Sequence, residues 1–207
     1  VSHRGTLFVI TAPSGAGKTS LVKALVDRVE DLSVSISHTT RPKRPAEVHE
    51  VSYYFVDAPE FQRMVEAGEF LEHAEVYGNH YGTSRGWVER TLADGQDVIL
   101  EIDWQGAEAT QALMPESVSI FVLPPSIEAL AERLGARQQD PESVIEGRLA
   151  EATADVARYS SFDFLVLNAD FDQALSDIEV IVRAERLKKC RSEKKHQQLL
   201  AELLKTE

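Results

Sequence analysis

"TLFVITAPSGAGKTSLVKAL", residues 6–25, sets a short turn between two different hydrophobic patterns. "TLFVIT" is a continuous apolar run of strand length, whereas beyond Thr19 the apolar residues Leu21, Val22, Leu25, Val26 and Val29 recur at helical spacing. The turn "APSGAGKT" fits G-x-x-x-x-G-K-[ST] everywhere except its first position, where Ala12 replaces glycine. G-K-[ST] alone is a weak signal. Directly after a strand and directly before a helix, it stands where a phosphate-binding loop has to be.

The chemistry of such a loop is local. Backbone N–H groups of the turn and of the helix N-terminus converge on phosphate oxygens. Gly15 and Gly17 permit backbone angles and a close approach that a Cβ would obstruct. Lys18 supplies a point charge to the β- and γ-phosphates, and Thr19 offers a hydroxyl to Mg²⁺. Ala12, at the end of the strand, keeps an extended backbone that tolerates a methyl group. The candidate nucleotide-binding residues are therefore Ala12, Pro13, Ser14, Gly15, Ala16, Gly17, Lys18 and Thr19.

Four further apolar runs read as buried strands: "SVSIS" (33–37), "DVILEID" (97–103), "SIFVLP" (119–124) and "FDFLVLN" (162–168). Helices are expected around 105–113, 126–136 and 172–195. Strands alternating with helices imply an α/β fold with a five-stranded parallel core sheet. Residues 38–94 break the rhythm with aromatic and charged clusters and read as a small mixed insertion. A second irregular stretch, "GARQQDPESVIEGR" (135–148), has the composition of a mobile lid. The core would then comprise 1–37, 95–134 and 149–207.

With 207 residues and a net charge of −12, a broad nucleic-acid-binding surface is not expected, and an anion site has to be a local basic cluster. The single cysteine, Cys190, excludes an intrachain disulfide and a cysteine zinc cluster. No apolar run reaches the length of a membrane span, and the first residues lack the features of a signal peptide, so a cytosolic protein is expected. The segment from Arg183 to Glu207 carries eight Lys/Arg against four Glu and reads as a solvated helix. Its Leu199, Leu200, Leu203 and Leu204 could serve an interface between copies or pack on the chain's own core.

What receives the phosphoryl group is addressed by "SISHTTRPKRPAEVHEVSYYFV", residues 35–56, where Arg41, Lys43 and Arg44 precede Glu47 and Tyr53. Arginine forks suit phosphate oxygens, and a tyrosine hydroxyl completes such a clamp. This stretch resembles the signature of guanylate kinases of the bacterial type, T-[ST]-R-x-x-[KR]-x-x-[DE]-x-x-[GA]-x-x-Y-x-[FY]. Thr39, Thr40, Arg41, Arg44, Glu47, Tyr53 and Phe55 match it, and Glu50 stands where the family has a small residue. The likeness extends through "GEFLEHAEVYGNHYGTS", "VILEIDWQGA", "SIFVLPPS" and "RAERLK". Alanine at the first loop position is an accepted variant in that family.

The resemblance implies a P-loop nucleoside monophosphate kinase fold with an inserted GMP-binding domain and a short lid, transferring the γ-phosphoryl of ATP to GMP with Mg²⁺. GMP-phosphate contacts fall on Arg41, Arg44, Tyr53 and Tyr81, with Glu47 matching the family's acid. Guanine contacts fall on Ser37, Glu72, Thr83 and Asp103. A carboxylate such as Glu72 can accept from guanine N1–H and the 2-amino group, donors that adenine lacks, so AMP would leave it unpaired. Glu101 is implied in the water shell of the metal, and Arg133, Arg137 and Arg148 as cations for the transferring phosphoryl group. Arg137-Gln138 replaces the family's Arg-Gly, and in "LNAD" Ala169 replaces an acid beside Asn168, the implied adenine contact. Two rivals remain: a kinase of the same architecture for another small acceptor, and a non-catalytic guanylate-kinase-like module. A nucleic-acid-binding ATPase, resting only on the basic tail, is more remote.

Overall fold

The computed structural model describes residues 4–76, 78–136 and 142–205. The chain opens with β1 (Leu7–Thr11), α1 (Lys18–Arg28) and β2 (Leu32–Val34). A second group follows: β3 (His38–Thr39), β4 (Tyr54–Phe55), α2 (Ala58–Glu66), β5 (Phe70–Val76), β6 (Asn79–Ser84) and α3 (Arg85–Ala93). The chain then returns through β7 (Asp97–Glu101), α4 (Trp104–Leu113), β8 (Val118–Leu123), α5 (Ile127–Ala136), α6 (Glu142–Val156) and β9 (Phe164–Leu167). It ends with α7 (Phe171–Leu187), α8 (Lys189–Lys195) and α9 (Gln197–Leu203).

Five strands form one sheet in the order β2-β7-β1-β8-β9, every pair parallel. This is the sheet expected from the five apolar runs. Side chains alternate along β1: Phe8 and Ile10 join Leu21, Leu25 and Ile178 under α1 and α7, while Leu7 and Val9 join Val88, Leu92 and Ala107 under α3 and α4. Both faces are covered, so the strands read as unbroken apolar runs rather than alternating ones.

The intervening segment builds a separate four-stranded sheet, β4-β3-β6-β5, with β5–β6 and β3–β6 antiparallel and β3–β4 parallel. β2 is shorter than its apolar run because the backbone leaves the first sheet after Val34; Ser35 N still donates to Ile99 O at 2.9 Å. A small core of its own, Phe61, Met64 and Phe70, with Phe61 stacked on Phe70 at 4.6 Å, holds α2 on this sheet.

Two expectations are corrected. Part of the stretch taken as irregular is helical: α6 begins at Glu142, directly after Pro141 in sequence, a residue type compatible with helix starts, and it buries Ala152 against Ala16 and Leu130. The C-terminal helix is also not continuous to 195 but breaks at Lys188 (φ −52°, ψ 136°). Arg186 Nε and Arg191 Nη1 both reach the buried Asp97, at 2.7 and 2.9 Å. Five positions apart on a straight helix, they would point about 140° away from each other. The break brings both cations to one carboxylate, so part of the basic tail is spent inside the fold. Leu199, Leu200, Leu203 and Leu204 remain exposed rather than packed on the core. No described helix is long and apolar enough to cross a membrane.

Candidate active site

The phosphate loop joins the C-terminal end of β1 to α1, in the region outside the strand ends where α/β sheets bind ligands. Gly15 and Gly17 have φ of 88° and 93°, values that side-chain-bearing residues rarely adopt. Ala12 is not among the positive-φ residues, and its methyl packs against the cores beneath α1 and α5. This answers why alanine can replace the first glycine. Pro13 O accepts from Ala16 N at 3.1 Å, closing the turn.

Lys18 opens α1 and donates from Nζ to Ile102 O at 2.9 Å. Burial lowers its pKa, while the carboxylates of Glu101, Asp103 and Asp155 act in the opposite direction. Thr19 Oγ1 donates to Glu101 Oε1, so a hydroxyl and a carboxylate from α1 and β7 share one point beside the loop. Among the described residues no three His, Cys, Asp or Glu side chains form a metal cluster. Two oxygen donors beside a phosphate loop nevertheless fit Mg²⁺, which keeps several waters and takes one or two protein ligands plus substrate phosphates.

The second sheet supplies the facing wall. Arg41 Nη2 donates to Glu47 Oε1 at 2.6 Å, and Glu47 Oε2 accepts from Arg44 N at 2.8 Å. The Arg41 guanidinium lies 5.4 Å from the Tyr53 ring centre, and the Tyr53 and Tyr81 rings are 6.0 Å apart. The Arg41 hydrogen bond holds the Glu47 carboxyl below its usual pKa, and burial raises that of the Tyr53 hydroxyl. Glu47 is thus an arginine holder in this arrangement.

Glu72 and Thr83 face each other across β5 and β6. Thr83 Oγ1 donates to Glu72 Oε1 at 2.5 Å, and Glu72 is 6% exposed. Burial pushes the Glu72 pKa up to about 7; the Thr83 bond opposes this and the Asp103 charge adds to it. Asp103 caps α4 by accepting from Gly106 N at 2.8 Å.

A cavity of about 390 Å³ unites these walls. It is lined by Ala12, Pro13, Ser14, Gly15, Gly17, Lys18 and Thr19, and opposite them by Ser37, Arg41, Arg44, Glu47, Tyr53, Glu72, Tyr81, Glu101 and Asp103. Arg148 and Asp155, both from α6, complete it. Four expected residues do not line it: Ala16 is buried in the loop, Thr83 reaches the cavity through Glu72, and Arg133 and Asn168 lie behind the loop. Arg137 lies outside the described residues. A larger hollow of about 620 Å³, at the opposite ends of the strands around Arg4 and Met114, contains none of the expected residues.

Asp155 was not anticipated. Its carboxylate accepts from Trp104, sits near Asp103 and Lys18, and has a pKa raised mainly by burial. Arg158, three residues on, stacks its guanidinium 4.3 Å from the Trp104 ring centre. Together they fasten the end of α6 to the start of α4. A lone acid inside a helix gives no signal in sequence.

The guanylate kinase family model matches residues 4–185. The chain belongs to the guanylate kinase family. It is 55% identical to the guanylate kinase of Coxiella burnetii, with 98% of each chain covered. Identity to the guanylate kinase of Pseudomonas fluorescens is 54%, over 97% of each chain. The crystal structure of guanylate kinase from Anaplasma phagocytophilum superposes with a TM-score of 0.77 at 36% identity, covering 92% of this chain and 90% of that one. Guanylate kinase membership accounts for the pairing of a phosphate loop with a cavity wall that carries both cations and a buried carboxylate.

Proposed function

We propose that the chain transfers the γ-phosphoryl group of ATP to GMP, giving ADP and GDP. The observation that carries this reading is the placement of the buried Glu72–Thr83 pair and the Arg41–Tyr53–Tyr81 group across one cavity from the phosphate loop. In this reading the loop with Lys18 binds one phosphate group, and the wall facing it, with Arg41, Arg44 and the buried Glu72, binds the other substrate.

ATP lies with its phosphates on 12–19, where the glycine turns and the start of α1 present N–H groups and Lys18 adds charge. Thr19 and, through water, Glu101 would hold Mg²⁺, which neutralises phosphate charge when bound. GMP lies across the second sheet. Its phosphate meets Arg41, Arg44, Tyr53 and Tyr81, with Glu47 fixing the Arg41 guanidinium and the Arg44 backbone beforehand. Its guanine meets Glu72, with Ser37, Thr83 and Asp103 around it.

Such an arrangement aligns the acceptor phosphate with the transferring group, and positioning supplies much of the rate. The acceptor is already largely ionised near neutral pH, so a general base is not required. Arg133, Arg137 and Arg148 balance the charge that spreads over the transferring oxygens. Arg133 is the one of these held behind the loop, on Asn168 O at 3.2 Å, so its part in this reading requires it to turn toward the cavity when substrate binds. The domain division that goes with this reading is a core of 1–37, 95–134 and 149–207, a GMP-binding insertion of 38–94 and a lid of 135–148 whose later part belongs to α6. The exposed leucines of α9 support assembly into a homo-oligomer, and the single free cysteine and nucleotide substrates suit the cytoplasm.

GDP formation from ATP and GMP tests this, with Lys18→Met beside wild type. The expected result is a loss of turnover on the order of a hundredfold or more with GMP binding retained. GMP binding with no turnover by the wild type would instead favour the non-catalytic module.

A further inference from the structure

Asn168 follows β9 directly and is 4% exposed, behind the loop rather than in the cavity. Its backbone N donates to Leu123 O at 2.8 Å, tying it to the end of β8. Its backbone O accepts from Arg133 Nη2 at 3.2 Å. Its side-chain Nδ2 donates to Ala16 O at 2.7 Å, across 152 residues of chain. A Cβ on Gly17 would stand 2.5 Å from that same Nδ2, so the amide occupies the space that the glycine leaves.

We infer that Asn168 is a positioning residue for the phosphate loop, orienting the Gly17 N–H toward the bound phosphates by holding the Ala16 carbonyl on the opposite side. A peptide unit is planar and trans, so its C=O and N–H point in opposite directions. Fixing Ala16 O on Asn168 therefore turns the Gly17 N–H away from Asn168, at a helix start where N–H groups have no intrahelical partner. A free peptide could rotate and present its carbonyl to the phosphates, which would repel them. Orientation made before binding is not lost as entropy on binding. The same residue holds Arg133, so the loop and one arginine expected at the phosphoryl group share a single anchor. This rests on the loop being the phosphate site, and it assigns Asn168 a role that does not depend on the donor's base.

Inorganic tripolyphosphate and CTP separate that role from adenine recognition. In Asn168→Asp the amide donor becomes a carboxylate that repels Ala16 O, and in Asn168→Ala it is lost. Both should weaken tripolyphosphate inhibition about tenfold or more, and lower kcat/KM for ATP and CTP by one common factor, with GMP affinity unchanged. Should Asn168→Asp fail to fold, Asn168→Ala and Asn168→Ser carry the same comparison. Unaltered tripolyphosphate inhibition, or a loss confined to ATP, overturns the inference while leaving the kinase intact. A wild type that tripolyphosphate does not inhibit and that forms no GDP is a separate failure, that of the phosphate-site reading itself.

Discussion

The Thr83 hydroxyl donates a 2.5 Å hydrogen bond to Glu72, and this bond and one from the Thr83 backbone are set against a burial that raises the Glu72 pKa to about 7. Burial therefore brings the carboxyl's titration into the neutral range in the free protein. Guanine's N1–H and amino donors require the ionised form. GMP affinity should rise with pH through this range and flatten above it, by about tenfold between pH 6 and pH 8. The phosphate group of GMP titrates nearby, near pH 6. Glu72→Gln provides the control: calorimetric titration should show the pH slope of wild type in excess of the slope left in the variant.

The same residue should cost stability. Its folded pKa lies above the unfolded value of 4.5, so the native state binds more protons between the two. Stability then falls as pH rises from 4.5 toward 7, and the full penalty, about 3 kcal/mol at most, persists above. Glu72→Gln, whose amide oxygen still accepts from Thr83, should stabilise the unliganded protein by about 1–3 kcal/mol at pH 8 and by almost nothing at pH 4.5. Urea unfolding at the two pH values checks this. Equal effects at both would show that the carboxylate is better solvated than its burial implies.

Gly106 leaves room for the Glu72 carboxylate. A Cβ there would come 2.8 Å from Glu72 Oε2 and 3.3 Å from Ile102 Cδ1. Gly106→Ala should favour helix α4 by up to about 1 kcal/mol and yet displace Glu72. KM for GMP should rise about tenfold, equivalent to roughly 1.4 kcal/mol, with KM for ATP unchanged. Steady-state kinetics in both substrates read the split.

Glu50 has φ of 67°, the left-handed region, where the family signature places a small residue. A non-glycine residue there carries a cost of about 1–2 kcal/mol, partly offset by the freedom glycine has in the unfolded chain. Glu50→Gly should raise stability by roughly 0.5–1 kcal/mol, measured by thermal unfolding, with GMP turnover unaltered.

The loop between β1 and α1 was legible in sequence because its determinants are local: an apolar run, two glycines and a helical period within twenty-odd residues. The five parallel strands followed for the same reason. The Glu72–Thr83 pair was reached only through family resemblance, since the register that joins them is a cross-strand match with no spacing signature. Residues 135–148 look irregular because Gly135, Pro141 and mixed charges dominate, while the burial that makes α6 a helix comes from Ala152 meeting Ala16 and Leu130, far apart in sequence. The break at Lys188 depends on Asp97, 91 positions earlier than it, and was invisible for that reason. Asn168 was named only as the adenine contact that the resemblance implies; its contact with Ala16 depends on which strand end lies behind the loop.

The most direct measurement is ATP-dependent phosphorylation of GMP, AMP, UMP and dTMP by wild type and by Glu72→Gln. Turnover confined to GMP, and sharply reduced in the variant, is the predicted result. Comparable turnover of another monophosphate, or GMP turnover indifferent to the variant, would contradict the reading of Glu72 as the residue that selects guanine.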